Sequence, residues 1–222
     1  DVRIRAVPNQ PMGTIHGRDF QKDESGNIII NNKGLPIATT DDVILGSAQP
    51  DFLVSLLNTL TWKGLSANFL IESSQGGEIY SETKLRMDFY GNSISSTEGR
   101  DFLLLKGVNE EGGINTIQTT KEKYMISLAS QNIATPFIED ASYIALRELS
   151  LSYSIPSKWI ESSLIKSVKI TAFGRNLGYL QRNLTHVAPE AAMYSTRTTD
   201  IGIEYLPLPM TRNVGFKLNM EF

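Results

Sequence analysis

The sequence predicts an all-β fold, and within that class a transmembrane antiparallel β-barrel of which about five strands are present. Three observations carry this expectation. Alternation with a period of two is the dominant pattern, and no long 3.6-residue pattern persists. The alternating stretches have one nearly apolar face and one polar face, which fits lipid on one side and water on the other. Their connections alternate between short and long, as turns and loops do at the two ends of a membrane barrel.

Residues 1–50 precede the first clear strand and are expected to form an external loop region with a hairpin. Asp23–Asn27 reads as a hairpin turn between Gly13–Phe20 and Asn27–Ile30, and Asn32–Pro36 as a second turn. The strands follow at roughly 51–62, 65–75, 142–155, 167–178 and 212–222, within 51–222. Each is close to the ~9–11 residues that a tilted strand needs to cross a membrane.

The last strand is the clearest. Val214, Phe216, Leu218, Met220 and Phe222 share one face, against Asn213, Gly215, Lys217, Asn219 and Glu221. Leu149, Leu151, Tyr153 and Ile155 oppose Glu148, Ser150, Ser152 and Ser154. Val168, Ile170 and Ala172 oppose Lys169, Thr171 and Arg175. Leu65, Ala67, Phe69 and Ile71 oppose Ser66, Asn68 and Glu72. In the first strand Asn58 interrupts Val54, Leu56, Leu60 and Trp62.

The connections Lys63-Gly64 and 156–166 are short; 76–141 and 176–211 are long. Trp62, Trp159, Tyr153 and Phe222 gather at the short-turn end, and Phe52 and Tyr143 at the other, as two aromatic belts would. Five strands cannot close a barrel in lipid without leaving an unpaired edge. The remaining strands are therefore expected from an N-terminal part of the same protein or from an associated chain.

Composition removes several alternatives. Hydrophobic residues are 41% and charged residues 20%, values that a soluble protein and a two-faced barrel share, so composition does not separate the two. No stretch approaches the about 18 apolar residues of a membrane-crossing helix. A net charge of -3 without a basic cluster gives no nucleic-acid footprint. Cysteine is absent and His16 and His186 are the two histidines, so no thiolate or three-histidine metal site is expected. No nucleophile elbow, phosphate-cradling glycine loop or paired-carboxylate site is found; neither catalysis nor a cofactor is expected. Asp23, Ser25 and Asn27 lack the spacing of a calcium loop. The chain begins at Asp1-Val-Arg-Ile-Arg without a signal peptide, as a mature or truncated chain would.

Several segments resemble, in order, the segments of one known family. Leu45-Gly-Ser-Ala-Gln-Pro-Asp-Phe52 resembles a segment that opens a late strand in that family. Ala141–Pro156 is very similar to its most recognisable C-terminal stretch. Phe173-Gly-Arg-Asn-Leu177 resembles the motif that follows. Ala188-Pro-Glu190 is similar to a loop motif in which aspartate usually stands at the first position. Pro209-Met-Thr-Arg212 and the closing Phe222 resemble the last strand. The matches run in the family's order across about residues 10–222, and the chain thereby resembles the SusC/RagA-type TonB-dependent outer-membrane transporters. The family's N-terminal carboxypeptidase-like domain, TonB box and plug have no counterpart here.

The resemblance implies the last five strands of a ~22-stranded barrel with a plugged lumen and long extracellular loops. It implies import of glycans or peptides across the Gram-negative outer membrane, with a SusD-like surface lipoprotein, and with energy from the TonB complex through the missing N-terminal parts. The partners implied are the plug and N-terminal strands of the same transporter, that lipoprotein, outer-membrane lipid and the cargo, with no nucleic acid. A passive porin or adhesive barrel, or a soluble β-rich binding module, stands as the alternative. Candidate substrate contacts are the loop aromatics Tyr80, Tyr90, Tyr124, Tyr179 and Tyr194, together with Phe89 and Tyr205; for any single one, packing of loop against loop or against the lipoprotein is the more frequent role. Candidate lumen- or plug-facing residues are Glu72, Glu148, Lys169, Arg175 and Lys217, with Glu221; each could equally face water.

Overall fold

The structure is a computed structural model and describes residues 2–161, 164–190 and 201–222. Its strands are, in order, β1 (Arg3–Arg5), β2 (Thr14–Gly17), β3 (Ile29–Ile30), β4 (Val43–Ser47), β5 (Phe52–Trp62), β6 (Leu65–Gln75), β7 (Glu78–Ser81), β8 (Val108–Asn109), β9 (Ile138–Asp140), β10 (Tyr143–Ser154), β11 (Ser167–Arg182), β12 (Ile203–Glu204) and β13 (Asn213–Glu221). Helix α1 (Glu82–Phe89) follows β7, and helix α2 (Lys121–Gln131) precedes β9. The chain divides into two compact units. Unit 1 takes the described residues of 1–49, 77–140 and 189–207; unit 2 takes 50–76, 141–188 and 208–222.

Unit 2 is one antiparallel sheet in the order β13-β11-β10-β6-β5. Its five strands are those expected from the alternation. Lys63 and Gly64 both adopt positive φ, 46° and 86°, in the two-residue turn between β5 and β6. That is the turn whose twist matches a hairpin, and glycine takes its second position at no steric cost.

The pairing carries the alternating apolar residues of all five strands onto one face, while Leu53, Leu57, Leu70 and Phe173 fall on the other. Across the sheet, Trp62 opposes Leu65, Leu65 opposes Tyr153, Tyr153 opposes Ile170, and Ile170 opposes Leu218. Leu60, Ala67, Leu151, Ala172 and Phe216 form the next row. None of this face is covered within unit 2: Phe216 is 86% exposed and Val214 75%. Fully burying one such side chain contributes about 1.5–3 kcal/mol, so a face of this composition calls for an apolar solvent.

Two details differ from the simple alternation. The pairing of β10 slips between Leu146 and Glu148, where Arg147 is an extra residue opposite β6. Such a bulge turns neighbouring side chains to the same face. Tyr143 therefore lies on the polar face, buried against Glu72, and is not part of an apolar-face aromatic belt. Strand β11 also runs on to Arg182, because β10 continues to pair with it. Asn176 at φ 51° and Gly178 at φ 151° break its alternation after Arg175, which hides the extension in the sequence.

Unit 1 is mixed and conventional. Its core gathers Ile15, Tyr80, Met125, Leu128, Ile133, Ala134 and Phe137 from β2, β7, α2 and the turn after it. Short strands pair as β1-β2-β4, β12-β7-β9 and β3-β8. Helix α2 starts at Thr120, whose hydroxyl accepts from the Lys123 amide at 3.3 Å, and ends at Asn132 in the left-handed conformation. The expected turns are present: the Asp23 amide donates to the Asn27 carbonyl at 2.9 Å, and the Asn31 amide to that of Leu35 at 2.8 Å.

Glu204 is fully buried and fastens β12 to the start of α1. It accepts from the Ser81 hydroxyl, from the Thr83 amide at 3.1 Å and from the Thr83 hydroxyl at 2.5 Å. A carboxylate at a helix N-terminus meets unpaired N–H groups and the positive end of the helix dipole.

Candidate functional site

The polar face of the unit 2 sheet carries its charged groups in cross-strand pairs. Glu72 accepts from Arg147 Nε at 3.0 Å, from Arg147 Nη2 at 2.7 Å and from the Tyr143 hydroxyl at 2.8 Å. The Arg147 guanidinium also lies 5.3 Å from the centroid of the Tyr143 ring. Glu148 pairs with Arg175 at 3.3 Å. The bulge at Arg147 makes both pairs possible, since without it Arg147 and Glu148 would point to opposite faces. Ser152 and Thr171 share a hydrogen bond at 2.9 Å, and Asn68 accepts from Thr59 at 2.6 Å and donates to Ser150 at 3.2 Å. Lys169 and Lys217 are exposed on this face on either side of Thr171, which opposes Lys217.

Tyr179 belongs to the same face. Its ring meets that of Tyr143 edge-on at 5.9 Å, and Arg182 lies 5.2 Å from its centroid. Glu72, Arg147, Tyr143, Tyr179 and Arg182 thus form one polar, aromatic cluster, with chemistry suited to hydrogen-bonding and stacking against whatever meets the face.

In unit 1 a cleft of about 830 Å³ is lined by Val2, Arg3, Ile4, Tyr80, Glu82, Leu85, Arg86, Phe89, Ile133, Ile203 and Tyr205, among others. The first turn of α1 sets its polar group. Glu82 Oε1 accepts from Arg86 Nε at 2.9 Å, one helical turn on, and Glu82 Oε2 accepts from the Tyr80 hydroxyl at 2.8 Å. Burial, with the Glu82 charge added, pushes the Tyr80 phenol far above its ordinary range, so it remains a hydrogen-bond donor. The Arg86 guanidinium lies 6.0 Å from the Tyr205 ring centroid.

The loop aromatics therefore part ways. Tyr80 and Tyr205 reach the cleft, together with Phe89, which meets Tyr90 edge-on at 5.3 Å. Tyr90 itself is exposed. Tyr124 packs against the core, where burial pushes its phenol up to about 12. Tyr194 lies outside the described residues. Sequence reasoning missed Arg3, Glu82 and Arg86; the only local signal was the Glu82/Arg86 spacing on a helix that had not been anticipated. No group of three or more metal-ligating side chains occurs among the described residues.

No family model matches the sequence. Curated relatives do. The chain is similar to TonB-dependent receptor P3 of Formosa agariphila, 27% identical over 190 residues, which is 84% of this chain and 18% of that protein. TonB-dependent receptor P26 of the same organism is 26% identical over 209 residues, 90% of this chain and 19% of that protein. Among solved structures, the RagAB peptide importer in its open-open state matches with a TM-score of 0.60 at 16% identity, over 99% of this chain and 24% of that one. The closed-closed state gives 0.59 at 16% identity, over 97% and 24%. The chain thus spans about a fifth of the length of the curated relatives it matches. It is similar to TonB-dependent receptors along most of its length, and its fold is that of the matching quarter of the RagAB chains.

Proposed function

We propose that the chain is the C-terminal part of a TonB-dependent transporter of the Gram-negative outer membrane. It supplies five strands to a ~22-stranded plugged barrel and, through unit 1, part of the barrel's extracellular loops. The observation that carries this reading is the unit 2 sheet, whose one face is apolar and uncovered and whose other face is hydroxyl-rich and charged. Only a wall between lipid and water needs both. The similarity to TonB-dependent receptors and to RagAB supports it. The two open sheet edges, at β5 and β13, pair with the barrel's other strands.

In this reading Glu72, Glu148, Lys169, Arg175 and Lys217 face the lumen and its plug. Cargo is a glycan or a peptide, delivered with a SusD-like lipoprotein, and the TonB complex drives release. Residues 1–222 alone then cannot persist as a soluble monomer. Light scattering of that segment in detergent-free buffer is expected to show aggregates, and a monodisperse monomer would overturn the proposal. Sidedness is tested on whole cells with an impermeant thiol label, in a chain that has no native cysteine. Glu111→Cys in the long connection is expected to label and Lys158→Cys in the short one is not; the reverse pattern would invert the topology.

A further inference from the structure

The short-turn end of the unit 2 sheet carries features that the transport reading leaves unused. The turn Lys63-Gly64 is fastened to the neighbouring strand, where the Ser154 amide donates to the Gly64 carbonyl at 2.9 Å. Just beyond Ser154, Pro156 opens the short helical turn Ser157–Trp159. The two connections therefore form one continuous rim across β5, β6 and β10. Two large aromatic side chains stand out from it: Trp62 is 69% exposed and Trp159 73%. Trp62 closes β5 on the apolar face, opposite Leu65, and the Lys63 ammonium lies 5.1 Å from its ring centroid. That contact holds a cation at the border of the apolar face.

Charge marks this rim off from the other end of the same sheet. Its connections hold Lys63, Lys158 and Lys166 against Glu161 alone. The Lys166 ammonium donates to the Phe222 carbonyl at 2.8 Å. Lys63 and Lys158 have no acidic partner among the described residues. Leu164, in the same connection as Trp159, is exposed as well. Exposed tryptophan and leucine beside unpaired lysines fit poorly in water, and fit a headgroup layer, which is apolar on one side and charged on the other. At the far end of β5, Phe52 stands beside Asp51 instead, so an anion is favoured at one end only.

We infer that this rim binds the phosphate of an anionic phospholipid, which Lys63 and Lys158 meet as point charges while Trp62 and Trp159 seat at the level of its glycerol. The inference rests on the transporter reading in that the apolar face meets a bilayer and the short turns lie at its periplasmic leaflet. A zwitterionic headgroup brings its own cation and leaves the two lysines unanswered. Lipid A, the other anionic lipid of an outer membrane, lies in the opposite leaflet, at the end that carries Asp51.

The test uses the full-length transporter in phosphatidylcholine vesicles with a rising fraction of phosphatidylglycerol that carries bromine on its acyl chains. Bromine quenches nearby tryptophan, and the signal of Trp62 and Trp159 is the difference from a chain with Trp62→Phe and Trp159→Phe. Phosphatidylglycerol is expected to be enriched at these two rings about tenfold over its bulk fraction. Lys63→Asn, which suits the left-handed backbone there, combined with Lys158→Gln is expected to return it to the bulk fraction. Lys63→Arg with Lys158→Arg is expected to keep the enrichment. The proposal fails if the unsubstituted chain shows no enrichment, or if the uncharged pair of substitutions leaves it unchanged. It fails equally if brominated lipid A, used in place of phosphatidylglycerol, is enriched more. Brominated phosphatidylcholine separates this failure from a deeper one, since it should quench Trp62 with or without the lysines. No quenching by any brominated lipid would overturn the lipid-facing reading and the proposal together.

Discussion

The two units solve opposite packing problems with the same amino acids. Unit 1 hides Ile15, Leu128 and Phe137 in its centre. Unit 2 turns Leu60, Leu151, Phe216 and Leu218 outward, and buries Ser150 and Ser152 instead. In unit 1 an apolar residue is stabilising because other side chains exclude water from it. On the apolar face of unit 2 no described side chain of the unit does so, and the surrounding medium has to. Burial within the chain therefore reports on function only once the solvent of each face is known.

The sharpest way to break this contrast is to truncate one phenylalanine in each unit. Phe137→Ala leaves a cavity in a closed core and is expected to cost about 3–5 kcal/mol. On the proposed reading Phe216→Ala exchanges apolar side chain for lipid and is expected to cost well under half as much. Hydrogen exchange of the amides of β2 and α2, set against heat-modifiable mobility of the barrel, separates the two effects. Equal losses would mean that the sheet is covered by protein.

Charge sharpens the contrast within one strand. Leu218→Arg at mid-sheet is expected to cost roughly 2–4 kcal/mol, while Lys217→Glu on the wet face leaves assembly intact. Outer-membrane yield of the two variants decides, and equal damage would refute the assignment of faces. Asn58 is a smaller test: it interrupts the apolar face, and its side-chain oxygen is buried without a hydrogen-bond partner. Asn58→Leu is expected to raise stability by about 1–3 kcal/mol, read as a higher urea midpoint for barrel unfolding.

The least effect is expected from acid acting on unit 1. Burial disfavours the Asp19 carboxylate, but bonds from Lys22, Thr135 and the Phe20 amide outweigh it and hold the group below its ordinary 3.8. A lowered folded-state pKa stabilises fully above the unfolded value and is lost as pH falls through the folded one. Protection of amides around Asp19 should thus decline below pH 3.8, and that decline should be absent in Asp19→Asn.

The sheet was legible because its two faces write two compositions onto alternate residues, and all five strands repeat the pattern. Unit 1 offers no such text. Its strands among the described residues run from two to five residues, too short to show a period. Helix α2 buries Met125 and Leu128 but leaves Ile126 half exposed, so its apolar stripe is slight. The cleft was less legible still. Tyr80 and Tyr205 share it because Ile203 pairs with Tyr80 in the parallel β12–β7 contact, across more than a hundred residues. Arg3 sits there because β1 ends its sheet. Neither fact has a local signal.

The extra residue in β10 makes one position in the unit 2 sheet editable. On its β6 side, Leu146 pairs with Ile71 and Glu148 with Leu70, neighbours in an unbroken ladder. Deleting Arg147 would close that ladder and leave Leu146 and Glu148 on the faces they already occupy. Deleting Ser150 instead would reverse the orientation of every side chain on one flank of the strand. A lineage can therefore gain or lose a charge on the polar face at this one site by a single-codon insertion or deletion, without rewriting the strand around it.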